Sequence, residues 1–216
     1  MAQETFYTKY IKGLLDRVLG ILGLILLSWL FLILGAAVFL NDPGPVFYKQ
    51  RRFGRKKNGE YTYFNILKFR TMKVNTPELP THHLKNPEQY ITGVGRFLRK
   101  TSLDELPQLW NIGILHNLSI IGPRPALWNQ EDLIAEREKY GANDVMPGLT
   151  GWAQINGRDE IDDEEKARLD GEYVRKISFR FDAKCFFGTV AAVLKHKGVA
   201  EGGTGTIKNE EETAVK

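Results

Sequence analysis

The chain has 216 residues, 43% of them hydrophobic and 26% charged, with a formal net charge of +4 at pH 7. That length suits one domain, or one domain with an appendage, and leaves enough chain for a real core. The single cysteine, Cys185, excludes an internal disulfide framework and is compatible with a reducing compartment. The four histidines, without ligand spacing, give no zinc signature, so any metal here would be held by oxygen.

The first predicted element runs from Val18 to Leu40, 23 residues without a charge. As a straight helix it would reach roughly 34 Å, enough to cross a hydrocarbon core. It is too long for a signal peptide, and no A-x-A-type cleavage site ends it. Lys9, Lys12 and Arg17 precede it and a dense basic cluster follows it. Positive residues favour the cytoplasmic side, so a spanning helix would put its richer C-terminal flank there, whereas one that enters and leaves by the same face would put both flanks there. Ser28 is the expected bend, bonding back to the preceding turn. On either path the rest of the chain lies in the cytoplasm.

VFYKQRRFG and EYTYFNILKFRTM are rich in aromatic and β-branched residues and are joined through Lys57-Asn58-Gly59, which predicts a β-hairpin. Its tip and edge carry Lys49, Arg51, Arg52, Arg55, Lys56 and Lys57, a cluster whose natural partner beside a membrane is anionic lipid. Lys73 to Tyr90, with His82 and His83, reads as a loop. Gly95 to Lys100 and Leu106 to Ile114 have helical pattern, and TSLDELPQLW between them sets Asp104 and Glu105 side by side. Ser102-x-x-Glu105 fits a capping box, and Pro107 suits a first helical turn. A helix start carries partial positive charge, which favours ionised carboxylates and attracts phosphate.

SIIGPRPAL is a short apolar run ended by a rigid Pro-Arg-Pro turn. Leu127 to Tyr140 predicts a charged helix, and MPGLTGWAQINGRDE is turn-rich, with a tight turn at Asn156-Gly157. From Asp162 to Lys176 acidic residues come first and basic ones later, as the helix dipole favours. Phe179 to His196 has the pattern of an amphipathic helix lying on a core or in the membrane interface. The tail from Gly198 is expected to be mobile.

Lys68 and Arg70 end a strand, Arg99 precedes the carboxylate pair, Arg124 is fixed between two prolines, and Arg158 follows a turn. Any one of them is by default an exposed surface charge. Together, separately anchored cations can surround a diphosphate, and a guanidinium between prolines is the best preorganised for bidentate contact. A carboxylate beside such cations can hold Mg2+, and its neighbour can attack phosphorus. The alternative is a membrane-tethered module that binds anionic lipid or nucleic acid without catalysis. Nucleic acid is disfavoured, because the remaining cations are dispersed among turns and an acidic block follows at 159–165.

Taken together, PGPVFYKQRRFG, KFRTM, GRFLRKTSLDELPQLWN, SIIGPRP, PGLTGWAQINGR and LDGEYV make the chain resemble the bacterial sugar transferases, monotopic polyprenol-phosphate phosphoglycosyl transferases. The resemblance covers about residues 8 to 200, and the ISFRFDAK and HKGVAEGG ends are similar to the short bacillosaminyl-phosphate transferases. It implies an α/β, mainly helical fold: a re-entrant membrane helix in 1–41, a cytosolic domain in 42–200 with a β-hairpin and interfacial amphipathic helices, and a mobile tail in 201–216. It implies an enzyme of the bacterial inner membrane, with its catalytic domain on the cytoplasmic face. The implied partners are a UDP-sugar, polyprenol phosphate and membrane lipid, with Mg2+ as cofactor. Asp104 is then the nucleophile and Glu105 the magnesium-binding glutamate. Lys68, Arg99, Arg124, Arg158, Asp170 and Asp182 fall on positions for phosphate, nucleotide or active-site support. The short form implies an N-acetylated or diamino hexose. Two departures stand out: Ser28-Trp29 replaces the family's Ser-Pro, and Leu115 to Ser119 replaces Gly-Asp-Met-Ser with one extra residue.

Overall fold

The computed structural model describes residues 4–77, 86–157 and 161–194, so His82, His83, Arg158 and the 201–216 tail lie outside the described residues. A π-type turn, Tyr7–Ile11, runs into α1 (Lys12–Leu26), and α2 (Ser28–Asn41) leaves it at 64°. No single helix among the described residues is long and apolar enough to cross a membrane, whereas this bent pair together meets the length and composition required. The expected bend is present, but its expected cause is not. Ser28 makes no side-chain hydrogen bond among the described residues. Instead Leu27, at φ −97° and ψ 6°, turns the chain there while its N–H still donates to Gly23 O at 2.9 Å.

One side of α2 packs inward: Leu34 and Val38 form a core with Phe69 and Leu98, flanked by Leu30, Phe31 and Val46. The other side is apolar and bare, with Leu32 and Leu40 76% and 78% exposed. α1 approaches the rest of the fold through Gly20. A side chain there would meet the Gly113 backbone at 2.7 Å, so the two backbones touch with nothing between them.

The hairpin forms as the sequence predicts, from β1 (Phe47–Phe53) and β2 (Tyr63–Phe69), with Phe47 opposite Phe69 and Phe53 opposite Tyr63. At its tip Asn58 (φ 52°) and Gly59 (φ 84°) are both left-handed, as a two-residue hairpin turn requires. Reciprocal 2.9 Å bonds between the Lys57 and Glu60 backbones close it. Next comes α3 (Gly93–Thr101), capped by the Thr92 hydroxyl, which accepts from Gly95 N at 2.9 Å. A 3-10 turn (Leu103–Glu105), α4 (Gln108–Trp110) and a π-type turn (Asn111–Leu115) follow.

β3 (Ser119–Ile121) pairs in parallel with β4 (Gly148–Thr150), a strand inside the stretch that reads as turns in sequence. α5 (Glu131–Lys139) and α6 (Trp152–Ile155) pack on α7 (Asp163–Lys176), whose N-cap Asp162 accepts from Glu165 N at 2.8 Å. α8 (Phe179–Leu194) is two-faced: Cys185 is buried with Tyr173 and Ile121, while Phe179 and Phe187 lie on the surface.

Candidate active site

The geometry begins at the end of α3. The helix starts hard against the end of β2, since a side chain at Gly95 would fall 2.0 Å from Thr71 O. That close approach sets Arg99 over the strand end, where its Nε donates to Thr71 Oγ1 at 2.9 Å. The helix then stops at Ser102, which is left-handed (φ 57°, ψ 17°) and donates its N–H back to Arg99 O. Ser102 makes no side-chain cap, so the expected capping box does not form. A serine already spent reversing the chain is not in position to cap the next turn, and Glu105 is free to point elsewhere.

Glu105 points into a cluster of cations. Its Oε1 accepts from Lys68 Nζ at 2.8 Å and from Arg124 Nη2, and its Oε2 accepts from Arg124 Nη1 at 3.2 Å. The Arg124 contact is bidentate, the geometry in which a guanidinium binds a carboxylate most strongly. Arg124 Nη1 also donates to Leu149 O at 3.1 Å, tying the Pro-Arg-Pro turn to β4. Burial alone would raise the Glu105 pKa, but Arg124 and Lys68 outweigh it and hold the carboxyl well below its usual range.

Asp104 differs from its neighbour. It is 8% exposed, lies 3.9 Å from Lys68 Nζ, and makes no hydrogen bond among the described residues. Burial raises its pKa; Lys68, Arg99 and Arg124 draw it back only partly, and the Glu105 charge adds to the rise. A helix start was expected to keep this carboxylate acidic. The element here is a three-residue 3-10 turn, too short to supply that field, so desolvation wins. The result is a carboxyl with little hydrogen-bond stabilisation of its charge and therefore good basicity.

A further cation, missed in the sequence reading, completes the cluster. Arg52 lies four register positions along the hairpin from Lys68 and on the same face, because Arg52 pairs with Phe64 and Tyr48 with Lys68. Its Nη1 donates to Pro125 O at 3.0 Å and its Nη2 to Gln50 Oε1 at 2.7 Å. Burial, reinforced by the Arg124 charge, lowers its pKa to about 10. Arg52 Nε and Arg99 Nη1 are both buried without a hydrogen-bond partner among the described residues. Four cations (Lys68, Arg52, Arg99, Arg124) thus face two carboxylates, an excess suited to an anion carrying about two negative charges. The signal that would have found Arg52 is the period-two alternation with Lys68 across the hairpin.

Asp170 and Asp182 are placed elsewhere, and Arg158 lies outside the described residues. Asp170 is fully buried against Arg137, whose Nε and Nη2 approach its Oδ2 at 2.8 and 2.6 Å. Asp182 accepts from Lys12 Nζ at 2.7 Å, Tyr7 OH at 2.6 Å and Tyr173 OH at 2.8 Å. Neither contacts Asp104 or Glu105 among the described residues; they brace α7 on α5, and α8 on the first helix. Asn117, in the atypical loop, accepts from Asn111 Nδ2 at 3.0 Å, and Asn111 in turn clips β2 through Asn65 O and Leu67 N. Among the described residues no three His, Cys, Asp or Glu side chains converge as a metal cage.

A buried aspartate with a raised pKa is set beside surplus anchored cations on a hairpin and a Pro-Arg-Pro turn, a combination chemically suited to a phosphate-bearing ligand. The chain belongs to the bacterial sugar transferase family, whose profile matches residues 7–196. It is 40% identical over 189 residues to the UDP-glucose:undecaprenyl-phosphate glucose-1-phosphate transferase of Escherichia coli, an alignment covering 84% of this chain and 40% of that relative. It is 40% identical over 192 residues to the sugar transferase EpsL of Bacillus subtilis, covering 88% of this chain and 91% of the relative. The exopolysaccharide production protein ExoY of Sinorhizobium fredii is 37% identical over 215 residues, covering 91% and 92%. The chain therefore spans less than half of the Escherichia coli relative and about nine-tenths of the other two.

Proposed function

We propose that the chain transfers a sugar 1-phosphate from a UDP-sugar to undecaprenyl phosphate and releases UMP, with Asp104 as a covalent nucleophile. The observation that carries this reading is the contrast between Asp104, buried and unbonded, and Glu105, clamped by Lys68 and Arg124. The names of relatives that use UDP-glucose and undecaprenyl phosphate support the substrate classes.

In the first step an Asp104 Oδ attacks the sugar-linked phosphorus. The bond from that phosphorus to the bridging oxygen breaks, and its electron pair leaves with UMP. Lys68, Arg124 and Arg99 hold the phosphate oxygens, and Arg52 sits further along the hairpin, at the end suited to the departing phosphate. In the second step a phosphate oxygen of the polyprenol phosphate attacks the same phosphorus, and Asp104 leaves as carboxylate. Two phosphoryl transfers replace one crowded encounter between two anions.

Two adjacent carboxylates without a third acidic ligand suit Mg2+, which takes one or two carboxylates and completes its shell with phosphate oxygens and water. Glu105 would hold the ion, with Asp104 adjacent. When bound, it supplies neutralisation of the diphosphate's charge. The bent pair α1 and α2, apolar and bare on its outer side, suits a re-entrant membrane segment that keeps the domain on the cytoplasmic face, the side favoured by both basic flanks. The short form favours an N-acetylated or diamino hexose as the sugar.

The test is intact-protein mass spectrometry after mixing the chain with a panel of UDP-sugars and Mg2+, without acceptor lipid. A phosphosugar adduct on the native chain that is absent from Asp104→Asn is expected, with turnover down by more than about 10³-fold. Near-normal turnover in Asp104→Asn would end the proposal.

A further inference from the structure

A cavity of about 270 Å³ lies away from the carboxylate pair, lined by Lys9, Tyr10, Gly13, Leu14, Arg17 and His116. Among its lining residues are two fixed cations and an imidazole, and no carboxylate. The positions 9, 10, 13, 14 and 17 follow helical spacing, so they form one face of the first helix just before its bare apolar stretch. Along that same helix Leu14, Val18, Leu19, Ile21 and Leu22 are all exposed. The cavity therefore sits where a charged headgroup meets an apolar surface. Its floor is built by the atypical loop: His116 is left-handed (φ 50°) and its ring edge lies where a Gly13 side chain would be, 3.3 Å away.

We propose that this cavity binds a lipid-borne phosphate, the phosphodiester of an anionic headgroup, through Lys9, Arg17 and His116. Its cations are poorly neutralised by the protein. Among the described residues Lys9 is paired only with exposed Glu4 at 4.0 Å, and Asp16, next to Arg17, is spent on Ser119 Oγ at 2.7 Å and Ile120 N at 3.0 Å. His116 Nδ1 is buried without a hydrogen-bond partner among the described residues. Around the imidazole stand Arg17 and Asp16 from α1, Arg55 from the hairpin loop, and Lys9 and Tyr10 from the preceding turn. Burial lowers the His116 pKa, Arg17 and Arg55 lower it further, and Asp16 and the Ile112 backbone oppose them without reversing the direction, so the ring holds its proton less firmly than a free imidazole. An anion between Lys9 and Arg17 reverses that balance, and binding takes up a proton.

The experiment uses the full chain in detergent. It is titrated with short-chain phosphatidylglycerol, whose charge is fixed between pH 6 and 8, with phosphatidylcholine and inorganic phosphate as separate arms. Phosphatidylglycerol should bind more tightly as pH falls from 8 to 6, by at most about tenfold per pH unit, as one linked proton requires. His116→Gln should bind more weakly and lose the pH dependence, while Lys9→Gln/Arg17→Gln should bind weakly at every pH. Equal affinity for phosphatidylcholine, displacement by equimolar inorganic phosphate, or an unchanged pH slope in His116→Gln would each overturn the proposal. Gly13→Leu, which fills the cavity from the opposite wall, gives a second route to the same loss.

Discussion

Two groups of buried carboxylates share this fold, and they are treated in opposite ways. Asp182 receives a lysine and two tyrosine hydroxyls, and Asp16 receives a hydroxyl and a backbone N–H, so each negative charge is met by donors of fixed geometry. Asp104 receives no hydrogen bond among the described residues, and the cations around it outnumber the carboxylates. Asp182 and Asp16 hold helices together, whereas Asp104, with cations to spare around it, leaves work for a ligand to complete. Burial alone does not separate the two groups, since Asp182 and Asp104 are 6% and 8% exposed.

That contrast can be broken at several points. The largest effect on stability is expected from Asp182→Ala, which strands Lys12 and the Tyr7 hydroxyl, while the Tyr173 hydroxyl keeps Ile121 O at 3.1 Å. Removing one partner of a buried pair costs about 3–5 kcal/mol, so thermal unfolding in detergent should fall sharply, while the folded fraction still forms the Asp104 adduct. If adduct formation disappears from folded Asp182→Ala, the bracing role is wrong. Glu105→Gln also weakens a buried pairing, with Lys68 and Arg124, so its unfolding temperature should fall too, but here the folded fraction should lose turnover by about 10²-fold as electrostatic stabilisation of the phosphoryl group is lost.

A subtler effect concerns pH. Asp104 must be ionised to attack, and burial raises its pKa, so activity should rise with pH through a group above the ordinary aspartate value. Lys68 is the largest influence pulling that pKa down, so Lys68→Met should move the acid limb of kcat/KM upward in addition to lowering its plateau. An unmoved limb in this variant would assign it to another group. The smallest effect is on stability again. A carboxyl whose folded pKa is raised contributes stability below its unfolded pKa and loses it as pH rises through the folded value. At neutral pH Asp104 is therefore a burden, and Asp104→Asn should unfold a few degrees higher than the native chain, by about 2–4 °C per kcal/mol recovered. A lower unfolding temperature would mean that Asp104 is held by donors after all.

Much of this was legible in the sequence because local chemistry dictated it. Asn58-Gly59 could adopt two left-handed residues and so closed a hairpin, and the acid-first, base-last order of 162–176 became a capped helix. The resemblance gathered Lys68, Arg124 and Glu105 into one site, but their direct pairing was not in the sequence reading and comes from the structure. What stayed hidden depended on distant partners. Three-residue strands at Ser119–Ile121 and Gly148–Thr150 have too little pattern to announce a parallel pair. The partners of Asp182, Lys12 and Tyr7, come from the other end of the chain, and no local pattern announced them. Ser102 misled because a capping sequence describes what a serine can do, whereas the preceding helix had already used that residue to turn back.

The hairpin register has a consequence for how this protein can vary over generations. Arg52 and Lys68 reach the same cluster only because both lie on one face of a two-stranded ladder with period two. A single inserted or deleted codon inside Phe47–Phe53 or Tyr63–Phe69 would send one of them to the opposite side, even if every other residue were kept. The connection from Gly54 to Thr62 lies outside the named strands, and a change in its length can be absorbed there. Lineages should therefore drift freely in the length of that connection while the two strands keep theirs, so a record of insertions alone would outline the catalytic face.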